Sequence, residues 1–547
     1  MSGHYPDFAL TVEWAASPVS ETCMKPWFPL AFLILLAAPQ FGAQDAPGLG
    51  IPPELAARKG PGGLSFAEAY KRTLIYHFGA TQVFQRKMGM LLDAEVARRK
   101  ARGEDLSWIR TDDEKVEARI RAGIEQLKKS DPDQDFWELL RSLGYDKESY
   151  RREVRRAILL EELFFPADPD HWPVHAKEIY GSGEEGSVYD TFLVDQLERM
   201  REAKAKGKAY KIDDTLKEML LRPTIQEWLM GQAEIREPFD GLPEGTALQV
   251  GEQPVETDDL LARILPRIGP VERERAARWV ETVWTVAGEL ERRGLLLSAE
   301  ETLEIIAEEE EDYVDSPISY AQVVIEFQGF PTMEAYREFY RLRMSFRKSL
   351  PDPIPLEDLR ADLEKRRAYF ADGKVDAEVI LCSAMNRDTG TFPRTGDPFA
   401  EAEKRIRAAA AELQEGSGWA QVREKFSDYK PLDPKAPQGA PQENKGRFGP
   451  TRRNPLLDFL GENDYTSFLL GNSFGDTLFF DAGPGRVYGP VRGPLGWYLY
   501  RVNGRQPPHL EIDLEKNERH RFLVEDDYLT LKFNRFVDQV MGAAAPR

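Results

Sequence analysis

The spacing of apolar residues changes character near residue 375, and that change limits the fold more than any other feature. From about Ser65 to Phe165, apolar residues recur three and four apart between Arg, Lys and Glu. This is the period of helices that bury one face. A second block of the same kind runs to about Phe346, and PDPIPL (351–356) breaks it. Leu356–Tyr369 predicts one more helix, leading into Val375. Beyond that point AEVIL (377–381) is a short apolar run of strand length, and WYLYRV (497–502) alternates with a period of two. A long helical part followed by a small antiparallel sheet with helices is an α+β protein.

Boundaries follow from composition. Residues 1–43 read as an upstream extension and an export signal, with Met24 as the expected start: Met24-Lys25 precedes WFPLAFLILLAAP. That run is too short to span a bilayer comfortably. The residues before Met24 contain acids and no Lys or Arg, which does not suit an export signal. Ala43 offers a cleavage position but Phe41 is bulky at −3, so an uncleaved anchor stays open as the one expected membrane contact. The expected location is the periplasm or cell envelope. Residues 44–63 form a Pro/Gly-rich linker, 64–245 a helical module, 246–370 a second helical module, 371–506 the α+β part and 507–547 a C-terminal helix. Within the second module, 247–265 predicts strand, turn, strand and a helix starting near Thr257. The two modules echo each other in LGYDKESYRREVRRAIL (143–159) and QGFPTMEAYREFYRLRM (328–344), with Tyr150 and Tyr336 in equivalent places. A repeat is therefore expected.

The formal net charge of −20 excludes nucleic acid as a main partner, because phosphate binding needs a basic surface. Of two cysteines, Cys23 lies ahead of the expected start, so Cys382 is left alone and no intrachain disulfide is expected. GSGEEG (181–186) fits a dinucleotide-loop pattern, but no buried strand precedes it and its two glutamates would repel a pyrophosphate. His171 and His175 are spaced for a metal but have Pro173 between them, and Glu308–Asp312 reads as a solvated helix face. No cofactor and no metal are expected.

The C-terminal third carries the most information. GRVYGPVRGPLGWYLYRV (485–502) predicts a hairpin closing the sheet, with Trp497 and Tyr498 on opposite faces. Before it come AEVIL, a helix over Phe399–Glu415, ELQEGSGWAQVREKFSDY (412–429) with a helix over Trp419–Phe426, a loop over 430–455 containing GRFG (446–449), and FLLGNSFGDTLFF (468–480) with a helix around Leu469–Phe480. In this order and spacing, residues 375–502 resemble the parvulin-type (PpiC/rotamase) peptidyl-prolyl isomerases. The helical modules upstream and the returning C-terminal helix resemble the SurA-like periplasmic chaperones, whose helical part holds unfolded clients. The resemblance implies an exported folding factor with unfolded or proline-containing polypeptides as partners.

Rotation about an X–Pro bond is slow because amide resonance must be broken. An isomerase needs an apolar pocket for the proline ring that binds the twisted amide best. Parvulins surround that pocket with two histidines and a Cys or Asp. The resemblance places Val379, Tyr429 and Tyr498 at those positions, and no histidine lies between Leu350 and Arg505. It places Leu470 and Phe474 at the apolar floor, after an insertion over 450–467. The candidate substrate-binding residues are thus Leu470, Phe474, Tyr429 and Tyr498. The expectation is a chaperone-dominant protein with weak or lost isomerase activity. The alternatives are an isomerase using the Tyr429 and Tyr498 hydroxyls, or a non-catalytic envelope assembly subunit.

Overall fold

The computed structural model describes residue 51 and residues 56–544, apart from 57, 61–62, 131, 133, 143–144, 173–175, 182–192, 209, 211, 214–215, 218–220, 315, 317, 433–441 and 472. The expected export signal, His175 and most of GSGEEG lie outside the described residues. The described chain forms two compact units, residues 78–267 and residues 54–77 with 268–547. The stretch 64–245 thus contributes to both, because nearly all of α1 (Phe66–Phe78) belongs with the later residues. No helix among the described residues is long and apolar enough to cross a membrane.

The unit of residues 78–267 is built from α2 (Ala80–Ala101), α3 (Asp113–Ser130), α4 (Phe136–Ser142), α5 (Lys147–Phe164), α6 (Ala176–Tyr180), α7 (Val194–Ala205) and α8 (Arg222–Met230). Strands β1 (Ile235–Arg236), β2 (Thr246–Val250) and β3 (Gln253–Glu256) form an antiparallel sheet, and α9 (Thr257–Ile264) follows directly, as 247–265 predicts. Helix α5 starts where Asp146 accepts a hydrogen bond from the Ser149 amide in a reciprocal cap. One turn later Tyr150 is buried beside Tyr145, Phe136 and Trp137.

In the other unit, α10 (Pro270–Arg292), α11 (Ala299–Glu311), α12 (Met333–Arg347) and α13 (Leu356–Phe370) precede the sheet. Their core is aromatic: Trp279, Phe330, Tyr336, Phe339, Phe346 and Phe533 pack together. His77 from α1 stands edge-on to Trp279 at 4.5 Å, and burial pushes its pKa down to about 3, so it stays neutral.

Strand β4 (Lys374–Ser383) is central in a four-stranded antiparallel sheet with β5 (Arg447–Thr451), β6 (Val487–Arg492) and β7 (Gly496–Gln506), in the order β5-β4-β7-β6. Helices α14 (Pro398–Gln414) and α15 (Trp419–Phe426) cover one face, touching Ile380, Cys382 and Leu499. Helix α16 (Arg453–Leu460) and a turn from Phe474 to Asp481 cover the other, touching Val379, Leu381 and Tyr498. Burial on both faces explains why AEVIL does not alternate. Trp497 and Tyr498 divide between the two faces as the hairpin pattern predicts.

Three expectations need correction. The loop over 430–455 contains β5 and the start of α16, whose Pro, Gly and Arg residues hide them from a periodicity reading. The helix around Leu469–Phe480 is two helical pieces, α17 (Asp464–Leu470) and a short α-to-π segment over Phe474–Asp481, because Gly471 takes φ 87° between them. The last helix, α18, spans Glu518–Ala544 rather than starting at Leu510; it packs on α10, α12 and α13.

Candidate functional site

Strand β4 presents Val379 and strand β7 presents Tyr498 to the same face of the sheet. Tyr429 follows α15, and Phe474 opens the turn that crosses that face. All four belong to one apolar cluster. Leu470 does not join them. It ends α17 and packs, partly buried, against the aromatic core around Trp279. Gly471, at positive φ, turns the chain so that Leu470 and Phe474 serve different cores.

The cluster is filled. Val379 and Tyr498 are 0% exposed and Tyr429 1%, so none of these three side chains has solvent access. Phe474 lies 4.7 Å, centroid to centroid, from Tyr498 and 5.8 Å from Tyr500. Gly493 closes the rim: a Cβ there would come within 2.7 Å of both the Phe474 and the Tyr498 rings.

Both phenol hydroxyls are used. Tyr429 donates to the Phe459 carbonyl at 2.8 Å, and Tyr498 donates to the Leu460 carbonyl at 2.8 Å. These are the last two carbonyls of α16, where a helix has no amides of its own left to offer. The two tyrosines therefore cap a helix C-terminus from inside the core. Burial raises both phenol pKa values, so the protons that cap the helix stay in place.

Sequence reasoning missed Glu462. It sits between the left-handed Gly461 that ends α16 and the Asn463 cap of α17. It is buried, takes a hydrogen bond from Ser473 Oγ and accepts from the Gly475 amide at 3.2 Å. Burial pushes its pKa up to about 7, against the pull of those bonds. A charged residue between two caps reads as surface loop, so nothing in the local pattern marks it.

A concave pocket of about 60 Å³ lies elsewhere in the same unit, between α12, α17 and α18. Tyr336, Phe339 and Tyr340 line it together with Arg343, Asp464 and Asp526. Glu309, expected on a solvated face, instead accepts hydrogen bonds from Tyr320 at 2.5 Å and from Tyr340, while Tyr320 and Tyr336 hydroxyls meet at 2.7 Å. Elsewhere His171 stacks on Trp108, with centroids 4.4 Å apart.

No family model matches the chain, and no curated protein matches it. Among solved structures, a peptidylprolyl isomerase (PrsA) from Bacillus cereus is similar at 14% identity over 54% of this chain and 90% of that one, with a TM-score of 0.18. PrsA from Bacillus subtilis matches at 17% identity over 54% and 90%, with a TM-score of 0.16. The foldase protein PrsA from Streptococcus pneumoniae matches at 16% over 55% and 91%, also at 0.16. Scores this low do not establish a shared global fold, so the functional reading rests on the chain's own residues.

Proposed function

We propose that this chain is an exported folding factor of parvulin-like design that holds unfolded or proline-containing polypeptides and has lost isomerase activity. One observation carries the loss of activity: the Tyr429 and Tyr498 hydroxyls are spent on the Phe459 and Leu460 carbonyls, in a core with no exposed polar group at the three family positions. Lowering an amide barrier of about 18–20 kcal/mol requires room for a proline ring and groups that favour its twisted amide. Neither is offered by the filled cluster.

Client holding is supported by the sequence resemblance and by exposed apolar side chains in the helical segment Val323–Phe327 before α12, where Ile325 is 43% and Phe327 65% exposed. The N-caps of α5 and α12, in which Asp146 and Thr332 each accept from the amide three residues on, with Tyr150 and Tyr336 buried at the next position, support a repeated client-holding module.

A protease-coupled assay on X–Pro peptides tests the first half. The expected rate equals that of buffer for every residue before proline, and any acceleration that Tyr498→Phe abolishes restores the atypical-isomerase reading. Suppression of aggregation of a denatured client tests the second half. If the protein leaves aggregation unchanged, an assembly subunit replaces the folding factor.

A further inference from the structure

We propose that the pocket between α12, α17 and α18 receives the basic side chain, lysine or arginine, of a client polypeptide. This rests on the client-binding reading above and names the chemistry that selects the client.

The hydrogen-bond directions decide what the pocket can accept. Tyr320 gives its one hydroxyl proton to Glu309. It must therefore accept in its contact with Tyr336, which donates. Tyr340 also donates to Glu309. The protons of the two pocket tyrosines are thus committed to this network, and neither hydroxyl has a proton left for a guest.

Charge points the same way. The pocket holds two carboxylates, Asp464 and Asp526, against one guanidinium, Arg343. Arg343 is already engaged, donating to Asp526 Oδ1 at 2.5 Å and to Thr530 Oγ1 at 3.2 Å. The excess is negative. An anionic guest would face it without a cation to spare, whereas an ammonium or guanidinium finds carboxylate oxygens and aromatic faces together. The volume of about 60 Å³ equals the space of a few waters, enough for the end of one side chain. The net charge of −20 steers basic segments toward the protein. Ile325 and Phe327, in the short helical segment that ends at the pocket residue Gln328, offer apolar surface for the guest's neighbours.

The test uses the full chain and short labelled peptides of apolar residues around a single arginine, with citrulline as its neutral isostere, read by fluorescence anisotropy. The arginine peptide is expected to bind about tenfold tighter at low salt, a gap that narrows as salt screens the charges. Asp464→Asn removes a carboxylate, and Asn534→Lys places a competing cation on the rim. Each should close the gap by weakening the arginine peptide far more than the citrulline peptide. Equal binding of the two peptides by the unaltered protein overturns the proposal while leaving client holding intact. So does a gap that survives both substitutions. If neither peptide binds and no denatured client is held, the client-binding reading fails, and this proposal fails with it.

Discussion

Two regions of one unit, each rich in tyrosine and each containing a carboxylate, end in opposite states. Around Tyr498 the hydroxyls point into the protein and cap α16, and aromatic rings occupy the space. Around Tyr340 the hydroxyls also point inward, to Glu309, yet the rings stop short and a concave pocket remains. The difference lies in what receives the proton. A helix C-terminus inside the core demands permanent donors and so freezes the tyrosines in place. A half-buried glutamate at the edge of α11 makes no such demand, because water can also serve it. Residue types that would read alike as a binding site therefore become structural in one place and remain available in the other.

The largest expected effect breaks the closed region. Tyr498→Ala removes a fully buried ring and the cap on Leu460, and should cost about 4 kcal/mol in urea unfolding. It should not create isomerase activity, because space without polar groups does not bind the twisted amide. A destabilisation under about 1 kcal/mol would mean that the cluster is loosely packed and the cleft still usable.

Glu462 gives the next effect. Its folded pKa of about 7 lies above the ordinary 4.5. The folded state therefore binds the proton more tightly than the unfolded state does. Stability from this group is full below about pH 4.5 and is lost as pH rises through 7. The swing is at most about 3 kcal/mol. Glu462→Gln should flatten the stability profile over that window and raise stability at pH 8. An unchanged profile would place the carboxylate in contact with water.

How much of this was legible follows from range in the chain. The strand at AEVIL, the helix over Trp419–Phe426 and the hairpin from Val487 could be read because each pattern is local and unbroken. Strand β5 and helix α16 were hidden because Gly449, Pro450 and Pro455 interrupt any periodicity there. That gap mattered for the site, since α16 supplies the two carbonyls that occupy Tyr429 and Tyr498. The resemblance pairs Leu470 with Phe474 as one floor, whereas the chain bends at Gly471 and the two side chains pack in different cores. The pocket at Tyr336 draws on residues from three distant segments. Only the repeated tyrosine in 328–344 pointed toward it.

The smallest effect is also the sharpest comparison, since it makes the same change in both regions. Tyr498→Phe keeps the ring and deletes one hydroxyl, leaving the Leu460 carbonyl buried without its donor. The expected cost is about 1–2 kcal/mol. Tyr340→Phe deletes a hydroxyl that donates to Glu309, but Tyr320 still donates there and the carboxylate is only half-buried, so water can replace what is lost. Its expected cost is below about 0.5 kcal/mol, with arginine-peptide affinity lowered less than by Asp464→Asn because the ring face stays. Equal costs in a urea titration would break the comparison. They would mean that water reaches the two hydroxyls alike, and that the pocket on α12 is as closed as the core under β7.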